Sequence, residues 1–470
     1  MTLLLVAGAA AYDSWRDRPR GQALRITGAG AYPDGPWPPA TPRAARTGPP
    51  FVTSVSPDRR YFLDQYGQPI LVRGDAPWSF MTDVSPAQAE LYLSTRAEQG
   101  YNAVVVSLLG STGNGGPRDD GSTYDGIRPF ADGDVLSWNE PYWDRVTSYL
   151  RTAADQGITV LLYAVDGWTI GHSFVPSSVD QCRQYGRRVA ERLADLPNVL
   201  WMAGGDYVPA TDDPARGSDV DRCWDAVMRG VRETGDGRPF SIQLSFDESI
   251  SSDNPFWARR IDWDFAYTYH PTYRAVLDAY ARTPPRPVLM GEANYEGENN
   301  QPESRPTTDE TLRRQVLWSL TSGAAGEVSG SADWDFPPGW QTRLSTVAVT
   351  QAQRLRDLFA GLRWWELVPD TGGDLVTAGR GTPLTEVTAM DVLDDDHVTA
   401  ARTPDGGQAV VYLPTPRTIA VDTGLLAPGT RAAWVDPTSG ARTETPLADT
   451  FTPPGPNDAG DGDWILLFTA

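Results

Sequence analysis

The chain has 470 residues, of which 40% are hydrophobic, and its formal net charge at pH 7 is −21. A polyanion is repelled by nucleic acid and by anionic membrane surfaces, which argues against both as partners. The length exceeds that of one ordinary domain, so we expect a large domain of about 300 residues and a smaller one.

The N-terminal segment resembles an export signal followed by a linker. A short apolar stretch runs from Leu3 to Ala11 and ends in small residues, although no basic residue precedes it. A clipped anchor is the alternative. The stretch from Asp13 to about Pro50 is rich in Pro, Gly, Ala and Arg, which is typical of a linker. No run reaches the length of about 18 apolar residues needed to span a bilayer. We therefore set residues 1–50 apart and expect a secreted or cell-surface protein.

A strand-like run recurs eight times between Ile70 and Ser329, and nearly every run is followed by a helix-like segment. The predicted strands are Ile70–Arg73, Ala103–Leu108, Thr159–Tyr163, Val199–Met202, Phe240–Leu244, Phe265–Tyr269, Val288–Met290 and Glu327–Ser329. Helices are predicted over Ala87–Glu98, Tyr142–Gln156, Val179–Leu193, Val220–Thr234, Glu310–Thr321 and about Leu344–Leu362. Eight such units predict an α/β fold of the (β/α)₈ TIM-barrel type over residues 51–365.

Helix boundaries carry the expected signals. Ser85 followed by Pro86 opens the first helix, Gly100 and Gly157 close the first two, and Asp309 is predicted to cap a later one.

The pattern of hydrophobic and polar residues changes after Trp364-Trp365. Short alternating runs such as Ala409–Leu413, Arg431–Val435 and Trp464–Phe468 lie between clusters of Gly, Pro and Asp. This pattern predicts a small antiparallel β-sandwich over residues 366–470. The Trp pair and the apolar Leu367 suggest that the sandwich packs firmly on the barrel. We interpret the sandwich as a rigid brace rather than as a glycan-binding domain, because no open strip of aromatic residues is obvious in its sequence.

Two carboxyl residues, Asp206 and Glu292, each end an apolar run that finishes in glycine. Counting places them after strands four and seven, at the carboxyl edge where barrels build their active sites and on roughly opposite sides. Two such acids are the equipment for cleaving a glycosidic bond. We assign Asp206 as acid/base and Glu292 as nucleophile. The plainer alternative is a helix-capping Asp and a Glu in a structural ion pair.

Five motifs occur in an order that resembles the apiosidase-like glycoside hydrolases: Gly74-Asp75-Ala76-Pro77-Trp78, Gly100-Tyr101-Asn102, Gly204-Gly205-Asp206, Tyr269-His270-Pro271 and Gly291-Glu292. Members of that family join a barrel to a C-terminal sandwich labelled as collagen-binding. The tail is similar too, through Trp434–Gly440 and Asp463–Leu466. The resemblance covers roughly residues 51 to 470. It implies a retaining, exo-acting hydrolase with an Asp after strand four and a Glu after strand seven.

The tripeptide Asn139-Glu140-Pro141 carries the acid/base in many related barrels, but here it precedes strand three. We interpret it as a helix start with an Asn cap.

Polar and aromatic residues at other strand ends are predicted sugar contacts, because carboxylates bind hydroxyls and Trp rings stack on sugars. They are Asp75, Trp78, Asp166, Trp168, Tyr207, Tyr269, His270, Trp334 and Asp335. Each has a structural alternative. Asp75 would bond backbone amides, Trp168 would pack beneath its loop, and His270 would either hold Glu292 ionised or simply fix its loop. No residues have metal-ligand spacing, so we predict no metal and no cofactor.

Cys182 and Cys223 lie near the starts of neighbouring predicted helices. They would form a disulfide in an exported protein, and two free buried thiols are the alternative.

The long polar segment Gly110–Asp134 leaves strand two on the active face, and we interpret it as a wall of the pocket that favours attack at chain ends. The paired acids, together with what the family resemblance implies, predict a retaining glycoside hydrolase acting on a terminal furanose-like sugar, such as apiose or arabinofuranose, of a polysaccharide. We expect a monomer whose partner is this carbohydrate. The alternative is a non-catalytic carbohydrate- or matrix-binding protein on a barrel scaffold.

Overall fold

The computed structural model describes residues 36–38, 47–110, 120–208, 217–245, 248–298, 306–385 and 391–470. The predicted export signal, most of the predicted linker and part of the segment Gly110–Asp134 lie outside the described residues. Within the described ranges, no helix has both the length and the apolar character needed to cross a membrane.

The described residues form a nearly closed, mostly parallel sheet that confirms a TIM-like barrel. Its parallel strands are β1 (Val72–Asp75), β2 (Ala103–Ser107), β3 (Thr159–Tyr163), β4 (Val199–Tyr207), β5 (Phe240–Leu244), β6 (Asp264–Thr268), β7 (Val288–Glu292) and β8 (Gly326–Ser329). The spatial order is β5-β4-β3-β2-β1-β8-β7-β6, and the short strand Glu248–Ile250 pairs antiparallel with β6. The strands are almost entirely buried, which explains their continuous apolar runs.

The predicted first strand was wrong at its beginning. Pro69–Ile70 instead belongs to a small antiparallel sheet with Ser54–Val55 and Phe62–Leu63. Phe62 of this sheet is fully buried and packs edge-on against Trp263. The small sheet therefore covers the barrel at the end where its strands begin.

Side chains bridge β5 and β6, where the backbone ladder of the described residues is interrupted. The Ser241 hydroxyl donates to the Trp263 carbonyl at 2.7 Å. The Ser251 hydroxyl donates to the Ile242 carbonyl and accepts from the Phe265 amide at 2.9 Å. These bonds satisfy buried backbone groups that would otherwise lack partners.

The helices follow the predicted pattern. They are α1 (Pro86–Glu98), α2 (Glu140–Asp155), α3 (Val179–Arg192), α4 (Asp219–Glu233), α5 (Tyr273–Ala281), α6 (Asp309–Thr321) and α7 (Val347–Ala360), with a single turn at Phe80–Asp83. Between β5 and β6, the described residues contain the strand Glu248–Ile250 and the 3₁₀ turn Ser251–Asp253.

Most predicted helix boundaries are confirmed. Ser85 forms a capping box at the start of α1, and Gly100 and Gly157, both with φ of +75°, follow the ends of α1 and α2. The predicted cap at Asp309 was wrong. Thr308 caps α6 by accepting from the Thr311 amide, and Asp309 is the first helical residue.

Helices α3 and α4 pack unusually closely. A Cβ on Gly186 would lie 2.0 Å from the Val227 carbonyl oxygen, and a Cβ on Gly230 would lie 2.0 Å from the Arg183 carbonyl oxygen. Cys182 and Cys223 form a disulfide between the same two helices, with their Cα atoms 5.4 Å apart. Of the two alternatives for these cysteines, the structure has the bonded pair.

The C-terminal part contains two antiparallel sheets. One has six strands in the spatial order Val368–Pro369, Thr399–Arg402, Gln408–Leu413, Trp464–Thr469, Arg431–Val435 and Arg442–Thr445. The other has three strands, Val376–Ala378, Ile419–Val421 and Thr450–Phe451. Alternate residues of Gln408–Leu413 face different cores. Ala409 and Val411 pack with residues of the three-stranded sheet, whereas Val410 and Tyr412 pack with α6 and α7.

The barrel and the C-terminal sheets are joined by polar contacts as well as by this core. The Arg313 guanidinium of α6 donates to Asp463 at 2.7 Å and to Asp461 at 2.8 Å. The Trp318 indole donates to the His397 carbonyl at 2.9 Å, and the Tyr273 hydroxyl donates to Asp395 at 2.9 Å. Firm contact between the two parts therefore agrees with the interpretation of the Trp364-Trp365 junction.

Candidate functional site

Asp206 lies near the carboxyl end of β4, where the backbone takes a conformation that demands small residues. Gly204 and Gly205 have φ of +87° and +99°, and Asp206 itself has φ of +51°. A Cβ on Gly204 would lie 2.0 Å from the Gln243 carbonyl oxygen on β5. The pairing of β4 with β5 shifts register between Gly204 and Tyr207. The two glycines thus allow the strand to bulge and turn the half-buried Asp206 side chain.

Glu292 ends β7 and is 7% exposed. The glycine before it is required by packing, because a Cβ on Gly291 would lie 2.2 Å from the Phe265 ring of the neighbouring strand. The sequence pattern of an apolar run, a glycine and an acid therefore reflects close packing of β7 on β6.

The carboxylate of Glu292 receives hydrogen bonds from three side chains. The Gln243 amide donates to Oε2 at 2.7 Å, and the Tyr269 hydroxyl donates to Oε1 at 3.3 Å. A hydrogen bond from Tyr295 also stabilises the ionised form. The Trp78 indole in turn donates to the Tyr295 hydroxyl at 2.8 Å.

The orientation of the Gln243 amide is set by a second bond. The Tyr163 hydroxyl donates to Gln243 Oε1 at 2.7 Å, so the amide nitrogen faces Glu292. The Tyr269 hydroxyl and the Gln243 amide nitrogen therefore both donate hydrogen bonds to the Glu292 oxygens. This arrangement favours a carboxylate over a protonated acid.

Burial and charge act in the opposite direction. Burial raises the pKa of Glu292 well above that of an ordinary glutamate, and the nearby negative charge of Asp206 raises it further. The hydrogen bonds from Gln243 and Tyr295 lower the pKa but do not reverse the shift. The two acids are therefore electrostatically coupled, so that ionising one opposes ionising the other.

Both acids also act on the same buried tyrosines. The pKa of Tyr163 is raised by burial and then by the charges of Glu292, Asp166 and Asp206. The pKa of Tyr267 is raised by burial and then by Asp206 and Glu292, and its hydroxyl lies 2.7 Å from that of Tyr269. Asp206 and Glu292 thus border one cluster of phenol groups at the carboxyl ends of the strands.

Three of the predicted sugar contacts lie in or beside this cluster. Trp78 and Tyr269 reach Glu292 as described above, Trp78 through Tyr295. The Trp334 indole donates at 3.1 Å to Glu298, whose charge also raises the pKa of Glu292. Asp335 is half-buried, and burial followed by the charge of Asp333 raises its pKa.

The Asp75 carboxylate is occupied by neighbouring groups. It forms an ion pair with Arg96 at 2.5 Å, accepts a bond from the Tyr92 hydroxyl, and accepts from the Ala76 amide at 3.0 Å. It is 5% exposed. The bond from the Ala76 amide is the structural alternative given for Asp75, and the contacts with Tyr92 and Arg96 tie the end of β1 to α1.

Asp166 is fully buried, and burial raises its pKa to about 6. Its carboxylate accepts the Trp168 and Thr169 amides at 2.9 and 2.7 Å. The turn so formed supports β4, because the Gly167 amide donates to the Gly204 carbonyl at 2.6 Å. The half-buried Trp168 side chain lies beside Gly205, with its Cδ1 atom 3.7 Å from where a Cβ on that glycine would be.

Tyr207 points towards α4. Its hydroxyl lies 2.7 Å from the Ser218 hydroxyl and donates to Asp221 at 2.9 Å, and its ring packs edge-on against Trp224. His270 is 6% exposed, and its backbone amide donates to the Thr268 hydroxyl at 3.1 Å. Both residues therefore contribute to the architecture around the acids.

Sequence reasoning missed Gln243, Tyr163, Tyr267 and Tyr295. Gln243 had a detectable signal, because it is a polar residue near the carboxyl end of the buried strand Phe240–Leu244. Tyr163 and Tyr267 had none, since an aromatic residue in a barrel strand is more often part of the core, and Tyr295 lies in the loop after β7.

The tripeptide at the start of α2 lies away from the site, as predicted. Glu140 forms exposed ion pairs with Arg188 and Arg192. The predicted Asn139 cap was wrong in detail, because its side chain makes no capping bond and instead donates to the Arg128 carbonyl at 2.8 Å. Among the described residues, no group of three His, Cys, Asp or Glu is arranged to hold a metal ion.

Comparison with known proteins gives the family and supports the barrel fold. The sequence model of the protein family described as "Apiosidase-like, catalytic domain" matches residues 56–366 of this chain. A glycoside hydrolase family 5 structure from Bacteroides vulgatus is similar, with a TM-score of 0.74 at 21% identity over 89% of this chain and 92% of that chain. A second structure, a glycoside hydrolase, has a TM-score of 0.73 at 21% identity over 89% of this chain and 97% of that chain. No curated protein sequence matches significantly.

Proposed function

This chain belongs to the apiosidase-like family and is a glycosidase, and we propose that it is a retaining enzyme that removes a terminal furanose-like sugar from a polysaccharide. The catalytic-domain family favours this function over a non-catalytic carbohydrate-binding protein. The observation that carries the proposal is the coupled pair of acids, Asp206 and Glu292, at the ends of β4 and β7.

In this mechanism Asp206 is the acid/base and Glu292 is the nucleophile. Asp206 protonates the glycosidic oxygen while the Glu292 carboxylate attacks the anomeric carbon, which breaks the glycosidic bond and forms a glycosyl-enzyme. Asp206, now ionised, takes a proton from water as the water attacks the same carbon. This second step releases the sugar and regenerates both acids.

The surroundings of the two residues suit these roles. Glu292 is buried and held by donors from Gln243, Tyr269 and Tyr295, which fix its direction and stabilise its charged form. Asp206 is half-buried on a bulged strand, so it has access to a leaving group and to water. A nucleophile held rigidly and an acid/base open to water are what the two steps require.

We further propose exo action, secretion or display at the cell surface, and a C-terminal sandwich that serves as a brace. Exo action is supported by the long segment Gly110–Asp134 after β2, which we interpret as a wall at one end of the pocket that favours attack at chain ends. Residues 120–134 of this segment are described. All nine predicted contacts remain candidates for the sugar, and three of them, Asp75, Asp166 and Tyr207, also hold neighbouring parts of the barrel by hydrogen bonds. The brace is supported by the core that the six-stranded sheet shares with α6 and α7.

The test uses nitrophenyl glycosides of apiose, arabinofuranose and galactofuranose with the wild-type enzyme and three variants. Glu292→Gln and Asp206→Ala should each lower kcat/KM by several orders of magnitude while keeping the circular dichroism spectrum of the folded protein. Glu140→Gln is the matched control, because this exposed acid lies at the start of α2, away from the site. The activity of this variant should equal that of the wild type.

The stereochemistry is tested separately. Proton NMR during hydrolysis should show the product first in the anomeric configuration of the substrate, and azide should restore turnover to Asp206→Ala by forming a glycosyl azide. Inversion of configuration would overturn the retaining mechanism. Wild-type turnover in Glu292→Gln would overturn the assignment of the nucleophile.

A further inference from the structure

A second groove, which we call the base groove, lies at the end of the barrel opposite the two acids. Its volume is about 410 Å³, within the range of about 300–1,000 Å³ that is typical of ligand sites. Its floor includes Gly323, Ala324 and Ala325, which lead into β8. The Ala325 amide donates to the carbonyl of Val288, the first residue of β7, whereas Glu292 is the last. The groove is thus separated from Glu292 by the length of β7, roughly 13 Å.

Aromatic side chains form the walls of the base groove. The rings of Tyr61 and Trp364 are 6.2 Å apart and nearly perpendicular, and Trp365 stands perpendicular to Trp364 at 6.1 Å. All three side chains are half-buried. Because each ring is turned against its neighbour, the three present ring surfaces in different directions along one groove. Such surfaces stack on the C–H faces of sugar rings.

The same three side chains carry unused hydrogen-bond donors. Among the described residues, neither the Tyr61 hydroxyl nor the indole nitrogens of Trp364 and Trp365 have a hydrogen-bond partner. Burial and the negative charges of Asp58 and Glu366 raise the pKa of Tyr61, so its hydroxyl stays protonated at neutral pH. The groove therefore combines ring faces with neutral donors and nearby carboxylate acceptors.

Two of the three carboxylates that line the groove are paired with arginine, and the third, Asp58, accepts the Ser56 hydroxyl at 2.5 Å. The Arg363 guanidinium binds Glu366 at 2.6 Å and Asp405 at 2.7 Å. Arg60 lies over the Tyr280 ring at 3.9 Å and donates to the Tyr280 carbonyl at 2.6 Å. A cationic ligand would have to compete with Arg363 for Glu366 and Asp405, which leaves it only Asp58. An anionic ligand would face a chain of net charge −21. A neutral ligand rich in hydroxyl groups meets neither obstacle.

We propose that the base groove binds a neutral polysaccharide chain at a site separate from the catalytic end of the barrel. Sugar rings stack on Trp365 and Tyr61, and sugar hydroxyls accept from the free indole and phenol donors and donate to Asp58 and Glu366. The site holds the enzyme on its polymer while the catalytic end acts on chain termini. This inference rests on the chain being a glycosidase and is independent of the retaining mechanism.

The experiment measures retardation in native gels that contain soluble arabinan, arabinoxylan or galactomannan. All proteins carry Glu292→Gln, so that hydrolysis does not remove the polymer during the run. Trp365→Ala should weaken retardation by at least one of the three polymers roughly fivefold to tenfold, as expected for the loss of one stacking ring. Tyr61→Phe removes only a hydroxyl and should weaken it less. Tyr66→Ala, at an exposed aromatic residue outside the groove lining, is the matched control and should retain the retardation, whereas Trp168→Ala reports any binding at the catalytic end.

A second readout uses the otherwise wild-type enzyme and separates binding from folding. Trp365→Ala should hydrolyse the small aryl glycoside at the parent rate while its KM for the polymer rises severalfold. Three outcomes would overturn the proposal: no retardation by any of the three polymers, equal retardation of Trp365→Ala and its parent, or retardation lost only in Trp168→Ala. Retardation abolished by raised salt would indicate that charge, rather than stacking on the aromatic rings, holds the protein in the gel and would overturn it as well.

Discussion

Two acids that share a buried cluster titrate as a pair, and at the scale of single residues this coupling gives a prediction about pH. The proposed nucleophile must be ionised, so activity is lost as pH falls through the pKa of Glu292. Burial and the charge of Asp206 raise that pKa, so the acid limb of the kcat/KM profile should lie above the ordinary glutamate value of about 4.3.

Asp206→Asn removes one of the two charges and should therefore lower the Glu292 pKa and move the acid limb to lower pH. The measurement is the pH profile of Asp206→Asn on an aryl glycoside whose leaving group needs no proton. Glu140→Gln, in an exposed ion pair, should leave the limb in place. An acid limb that stays fixed or rises in Asp206→Asn would contradict the coupling.

The bond from Tyr163 to Gln243 gives a second prediction at this scale. Tyr163→Phe removes the donor that fixes the Gln243 amide, so the amide can turn its oxygen towards Glu292 and disfavour the carboxylate. One lost hydrogen bond of about 1.4 kcal/mol corresponds to roughly a tenfold fall in kcat/KM. The acid limb should also rise, because a donor to the charged form is lost.

The matched control for Tyr163→Phe is Tyr185→Phe. Tyr185 is equally buried, but its hydroxyl donates to the backbone carbonyl of Ala164 at 2.8 Å. This control should lose stability without moving the acid limb. An equal change of the acid limb in both variants would show that Tyr163 acts only through packing.

These contacts mark the limit of sequence reasoning about the site. Asp206 and Glu292 could be predicted because a buried strand that ends in glycine and an acid delivers one polar group to a known edge. Tyr163 and Tyr295 could not, because they come from β3 and the loop after β7 and meet Gln243 of β5 only in the folded barrel. The contacts of the Asp75 carboxylate could not be predicted for the same reason, because its partners Tyr92 and Arg96 belong to α1.

At the scale of elements, the contact between α3 and α4 makes a prediction about stability. Gly186→Ala places a Cβ 2.0 Å from the Val227 carbonyl oxygen, so the helices must separate although the disulfide Cys182–Cys223 holds them together. Overpacking of this kind costs about 1–3 kcal/mol or more. Urea unfolding should show a lower midpoint for Gly186→Ala. The circular dichroism of the native variant should still have the helical signal, because α3 itself stays folded.

Gly372→Ala is the control for this substitution. A Cβ there would meet only the side chain of Asp374, at 3.2 Å, which can move aside. Its unfolding midpoint should stay close to that of the wild type. Equal midpoints for the Gly186 variant and the wild type would show that the helix pair tolerates a wider separation.

Elements were predictable where their periodicity is strong. The strand Thr159–Tyr163 was predicted at its observed bounds, and the capping box at Ser85 had a clear signal. The extension of β4 to Tyr207 was not predicted, because it passes through two glycines with positive φ. The closure between β5 and β6 was equally hidden, since the hydroxyls of Ser241 and Ser251 replace a ladder that leaves no pattern in the sequence.

At the scale of the whole molecule, the six-stranded sheet connects the two halves of the fold. Its strand Trp464–Thr469 places Leu466 and Phe468 in the core shared with the three-stranded sheet. Ile465 and Leu467 pack with residues of α6 and α7 instead. Since adjacent residues of one strand belong to two cores, loss of either core exposes the other. We therefore expect the barrel and the C-terminal sheets to unfold in a single calorimetric transition.

The buried ion pair across this junction gives the last prediction. Arg313→Met removes the cation from Asp463, which is fully buried and also accepts from Asn457 at 2.7 Å. An uncompensated buried carboxylate costs about 3–5 kcal/mol, so Tm should fall sharply and the calorimetric transition should split if the two parts lose their coupling.

The double variant Arg313→Met with Asp463→Asn removes the orphaned charge and should recover a large part of the loss. Arg187→Met, which breaks the exposed pair with Glu191, is the matched control and should leave Tm nearly unchanged. A Tm for Arg313→Met as high as that of this control would show that the two halves are held together by their apolar core alone.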